Sequence, residues 1–174
     1  MKSAYHLIMS LLVILIFTSF TAQESQSKSS YQDENISLKS FKKHPVPIKG
    51  RFSAILASTG PGSHPIYIQG TGNASHLGKT KFNLGNTFDF SSGIPPFPAK
   101  GDIVFTAANG DQLKGKFTGT MTPTGSTSSS ISFTGSFIGG TGRFTGAGGG
   151  FTWSGTFDMS TQSGIGRLSG TVIY

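Results

Sequence analysis

Residues able to do chemistry are sparse in this chain and widely separated. From Gly50 onward the only acids are Asp89, Asp102, Asp111 and Asp158. Asp111 follows Asn109-Gly110, where an aspartate commonly caps a turn. Asp102 stands beside Gly101 at a strand start, and Asp158 is one residue out of step with Trp153 and Phe157, so it should face solvent. Asp89 lies between Phe88 and Phe90 and projects opposite to both. If those rings face outward it enters an interior, which makes it the one candidate catalytic carboxylate. His44, His64 and His76 are scattered, with His76 near a strand end. No pair of histidines or carboxylates has metal-ligand spacing, so no metal and no cofactor are expected. Serines are abundant, but none stands in a Gly-x-Ser-x-Gly elbow. The chain has no cysteine, which removes thiol chemistry, zinc–cysteine sites and disulfides. Arg143 and Arg167 each follow Gly-x-Gly, and Arg143 is the better placed to hold an anionic group at the mouth of a cavity.

Gly139 to Gly150 (GGTGRFTGAGGG) has the look of a phosphate loop. Its spacing through Gly140, Gly142 and Gly146 is G-x-G-x-x-x-G, one residue off the dinucleotide fingerprint, and Gly-Lys-Ser/Thr is absent. Phe151-Thr152-Trp153-Ser154 alternates as a strand does, so no helix N-terminus follows to receive a phosphate. The run reads instead as a tight connection, with Gly139 and Gly140 ending one strand and Gly148 to Gly150 beginning the next.

The elements that must position these residues are strands. Residues 1–22 have the order of a secretory leader: Lys2, an apolar centre over Leu7 to Phe17, then small residues. That centre falls short of the ~20 residues of a membrane span. Export follows as the expectation, to the medium or to a periplasm. Residues 23–48 read as a disordered or extended linker, Ser/Gln-rich at first and closed by Pro45 and Pro47, which should stop regular structure. Without Lys2, 13 basic residues face 7 acidic ones. The densest basic group, Lys39 to Arg51, lies mostly in the linker rather than on a folded face with aromatics, so nucleic acid is not an expected partner.

From residue 49 to 174 apolar residues alternate with Thr, Ser and Lys. Eight strands are predicted, near 51–57, 65–71, 79–90, 101–107, 112–121, 130–138, 149–158 and 165–173. Asn109-Gly110 fits a type I′ hairpin turn. A five-residue pattern recurs: Phe117-Thr-Gly119-Thr-Met121, Phe133-Thr-Gly135-Ser-Phe137, Trp153-Ser-Gly155-Thr-Phe157 and Leu168-Ser-Gly170-Thr-Val172. Strand side chains alternate faces, so the large residues and the glycine share one face and Thr/Ser the other. Large and small side chains alternating inward suit a small closed barrel, and glycine lets its sheet coil. The expected fold is an all-β, eight-stranded antiparallel closed barrel, with a two-sheet sandwich as the runner-up. Phe117, Phe133, Phe137, Phe151, Trp153, Phe157 and Val172 would fill or line it.

Gly139-Gly140-Thr141-Gly142-Arg143-Phe144-Thr145-Gly146-Ala147 resembles the GGTG-x-F-x-x-A segment of plant dirigent proteins, and similar glycine-rich strands occur in allene oxide cyclases. Gly70 to Gly78 and Phe105 to Asp111 are similar to segments of small exported bacterial proteins of unassigned role. The resemblance spans about 70–174. It implies the eight-stranded barrel, a cavity for a hydrophobic molecule, and oligomers as one arrangement such barrels adopt. Phe117, Phe133, Phe137, Trp153 and Phe157, with Arg143, become the candidate ligand-binding set. Three functions stay open: a binder of a small hydrophobic molecule, a structural or interaction module with a filled interior, and a cyclase or isomerase acting by confinement.

Overall fold

The computed structural model describes residues 43–59 and 65–174. The expected leader and most of the linker therefore lie outside the described residues. Eight strands follow in order: β1 Pro45–Thr59, β2 Ile66–Ala74, β3 Gly78–Phe88, β4 Phe97–Thr106, β5 Gln112–Pro123, β6 Ser128–Gly140, β7 Gly148–Asp158 and β8 Ser163–Ile173. Each pairs antiparallel with the next, and β8 returns to β1, closing the barrel. The sandwich alternative is thereby excluded. Among the described residues no helix is long and apolar enough to cross a membrane.

The recurring Phe-x-Gly pattern acquires its meaning in the register. Phe117 pairs with Gly135 and Phe133 with Gly119 across β5 and β6. Phe151 faces Gly135 on β6 and Gly170 on β8, and Phe157 faces Gly164. On the far side Phe52 pairs with Gly72 and Gly166, and Phe82 with Gly70. Rings lie over the space left by missing side chains on adjacent strands: Phe133 over Gly119, Phe151 over Gly135, Phe157 over Gly164, Phe52 over Gly72 and Phe82 over Gly70, while Phe117 covers Gly101 and Trp153 covers Gly166. Aromatic cover of strand glycines lets a tightly curved sheet keep a close-packed interior. The glycine run divides as expected, with β6 ending at Gly140 and β7 starting at Gly148.

Two local expectations are corrected. Pro45 and Pro47 do not stop regular structure; they begin β1. There β1 has β8 on one side, while its pairing with β2 starts only at Gly50. Lys49, in step with both prolines, points its N–H to the β2 side, where it meets Ser75 Oγ at 2.9 Å. The missing N–H of each proline therefore faces a side that has no strand, the edge position proline tolerates. The Asn109-Gly110 hairpin is also not type I′, since Gly110 has φ 89° but Asn109 is not left-handed. Ala107 N–H donates to Asp111 O at 2.8 Å, closing a three-residue loop in which Gly110 takes the left-handed position. The Asn109 side chain instead donates to Asp111 Oδ2 at 2.8 Å.

Candidate functional site

A barrel offers three places for function: its interior and its two ends. In the interior the expected aromatics are all buried, but they meet one another rather than a cavity. Phe117 stacks on Phe133 with centroids 4.4 Å apart, and Phe137 on Phe151 at 4.9 Å. Trp153 packs on Phe52 at 5.3 Å and on Phe82 at 5.2 Å. Phe52, Phe82 and Phe105 complete this core. They lie outside the recurring pattern, and only their alternation with polar neighbours in the sequence could have revealed them. A void lined by Phe82, Leu84, Asn86, Phe133, Trp153 and Phe157 has a volume of about 20 Å³. That is room for about one water molecule.

The end formed by the β2–β3, β4–β5 and β6–β7 connections is shut. Phe144, on a single 3-10 turn at Gly142–Phe144, and Leu77 are almost wholly buried there. Arg143 fastens these connections together: its Nη2 donates to His76 O at 2.7 Å, and its Nε lies 3.8 Å from Asp111 Oδ2. Its guanidinium also sits 4.8 Å from the centre of the Phe144 ring. The structure brings Arg143, His76 and Asp111 together as a clamp between connections, with one guanidinium donor on the His76 carbonyl and the charge set against Asp111. His76 contributes its backbone carbonyl rather than its imidazole, with φ 64°.

Among the described residues the opposite end is less tightly closed. Ala54, Ile68, Phe88, Ile131 and Phe157 retain slight exposure, and Phe90, Ile94 and Met159 stand exposed around them. Inside this end, Asn86 occupies an inward position of β3 between Leu84 and Phe88. It is 1% exposed, yet neither its Oδ1 nor its Nδ2 has a hydrogen-bond partner among the described residues. A buried unpaired amide costs about 1–3 kcal/mol per lost partner, so its presence asks for a reason. In the sequence Asn86 is marked only as a lone polar residue in step with Phe82, Leu84 and Phe88, and it is not among the expected site residues.

Asp89 does not enter the interior. β3 ends at Phe88 with that ring inward, which leaves Asp89 exposed at the start of the next connection. Hydrogen bonds from Ser91, through its hydroxyl and its backbone N–H, hold the carboxyl below the usual range. Asp158 is similarly lowered by the Ser160 hydroxyl and backbone N–H. Asp102 faces outward, 3.8 Å from Lys116. The buried polar residues among those described are Thr80, Asn86 and Ser129, none of them titratable. Among the described residues no three His, Asp or Glu side chains gather as a metal site. The larger cavities are surface grooves, one of about 1070 Å³ crossing the outer wall from the end of β1 to β6.

No family model matches the chain, and no curated protein matches it. Among solved structures it is similar to that of a pterocarpan synthase dirigent protein, at 12% identity and a TM-score of 0.43, over 78% of this chain and 88% of the other. At that distance the likeness assigns neither activity nor substrate.

Proposed function

We propose that this chain is an exported structural or interaction module, a barrel whose interior is a packed core and whose working surfaces are its outer wall and end loops. The observation that carries this reading is the interior itself, where aromatics stack on one another and the void beside Trp153 measures about 20 Å³. A pocket for a drug-sized molecule is typically at least ~300 Å³. The leader-like pattern of residues 1–22 supports export. The cyclase or isomerase reading has less to work with, because the interior presents no carboxylate or cation among the described residues.

A second reading rests on Asn86. A small hydrophobic molecule entering between Phe157 and Ile68 would meet an amide with a free donor and a free acceptor, provided the rings part to admit it. One experiment separates the two. Trp153 is the only tryptophan and lines the void, so its fluorescence reports entry. We expect no saturable change on titration with lauric acid or a hydrophobic dye, and Asn86→Leu to raise stability by about 1–2 kcal/mol by removing the unpaired amide. A one-to-one response that Asn86→Leu abolishes would establish the binding reading instead.

A further inference from the structure

We propose that the outer wall of β7, β8, β1, β2 and β3 docks an acidic polysaccharide, gripped by the cross-strand pair Arg51 and Arg167. The proposal rests on the module reading and names the partner of that module. Arg51 on β1 is the direct register partner of Arg167 on β8, and both are exposed on the outer face. Like charges directly opposite on antiparallel strands destabilise a sheet. Among the described residues neither arginine has an acid or any hydrogen-bond acceptor as partner. Arg143 and Lys116, by contrast, each have an aspartate at 3.8 Å. Two unneutralised guanidinium groups carried by directly opposite residues, whose Cα atoms such pairing sets about 5 Å apart, form a site prepared for an anion.

The register extends the pair into a row. Ser154 pairs with Arg167, Arg51 with Asn73, and Asn73 with Lys79. Lys49 lies next to Ser169 on one side of this row, and Ser53, Thr71 and Lys81 lie along the other. None of the four aspartates among the described residues falls in these rows. Two surface grooves of about 600 Å³ each share Arg51, Arg167 and Ser154 in their lining. Four inter-strand steps of about 4.8 Å carry the row roughly 19 Å around the barrel, half its circumference, a path that a flexible polymer of repeated charge can follow and one small ion cannot span.

Between the cations stand hydroxyl and amide side chains, which both donate and accept. They complement a chain rich in hydroxyls. Single-stranded nucleic acid binds on aromatic stacking platforms, and these rows hold no aromatic residue. Membrane docking wants a cluster of apolar side chains; in these rows Ile165 is the one large apolar residue among those described, and Ile55 and Tyr67 stand farther along β1 and β2.

The test is binding of the purified protein to polygalacturonate at low salt, with neutral dextran, single-stranded DNA and phosphatidylglycerol vesicles as alternatives. Arg51→Gln/Arg167→Gln should weaken polygalacturonate binding about tenfold. Lys100→Gln/Lys114→Gln, which removes the same charge from the opposite wall, should change it less than twofold, and Arg51→Lys/Arg167→Lys should retain most of it. The melting temperature of each variant is read alongside, and the Gln pair should not fall below the parent because a repulsion has been removed. Equal loss in both Gln pairs, absence of binding, or tighter binding of DNA or vesicles through the same arginines would overturn the proposal. A Trp153 response to hydrophobic ligands with polygalacturonate binding intact would instead refute the filled-core reading and leave the wall standing.

Discussion

Gly166→Ala tests the packing rule on which the barrel depends. Gly166 faces inward on β8, and the Trp153 indole lies across it. A Cβ at this position would stand 2.8 Å from Trp153 Nε1, with Cζ2 and Cε2 closer still. The indole cannot withdraw freely, because Phe52 and Phe82 hold it from the other side with centroids 5.3 and 5.2 Å away. Either the ring leaves its rotamer or β8 moves outward. Overpacking of this kind costs about 2 kcal/mol, which for a barrel of this size lowers Tm by roughly 6–10 °C. The matched control is Gly150→Ala on β7, where the nearest atom to an added Cβ is Gly135 O at 3.6 Å and the backbone is not left-handed. That change should be neutral, or stabilising by a few tenths of a kcal/mol through the unfolded chain. Thermal unfolding followed by Trp153 emission reads both, since the Gly166 variant should also shift the emission of the folded state. If the two variants melt within 2 °C of each other, the aromatic-over-glycine account of the core is wrong.

Arg143→Ala should cost about 1 kcal/mol, because a half-exposed guanidinium loses one carbonyl acceptor and an ion pair. Hydrogen exchange should then quicken at residues 75–78, 107–111 and 141–147, while Trp153 emission stays unchanged; a shift in that emission would mean that the clamp governs the core rather than the loops. The lowered carboxyls of Asp89 and Asp158 set a sign for pH dependence. A carboxyl held below its unfolded value of about 4 contributes stability that is fully present above that value and is lost as pH falls through the folded one. Tm should therefore drop slightly as pH falls below about 4, and Asp89→Asn/Asp158→Asn should flatten that slope; an unchanged slope would show that other groups set it.

Much of the architecture was legible because the recurring pattern carries its own geometry. Period-two alternation places Phe117, Phe133, Trp153 and Phe157 on one face, and the glycines two residues away from them make sense only in a tightly curved sheet. All eight strands, and the division of the glycine run at Gly140 and Gly148, follow from such local signals. The candidate site was less legible. Asp89 was placed by alternation continued past the point where β3 ends, so its exposure could not be foreseen. Arg143 was recognised as the notable cation of its loop, but its partners His76 and Asp111 come from connections 67 and 32 residues away. The Pro45 and Pro47 strand start likewise depends on β2 beginning its pairing only at Gly50.

What the sequence determined by itself was therefore the strand period, the inward face and the small-beside-large rule, since each depends on residues one to four apart. Tertiary structure decided register, and register decided the rest. It set Phe against Gly so that the interior filled, and it left the Asn86 amide among rings without a partner. It also brought Arg51 and Arg167, more than a hundred residues apart, onto adjacent strands of one wall. Pairing between distant strands is set by closure of the whole sheet, a condition that no local stretch of sequence contains.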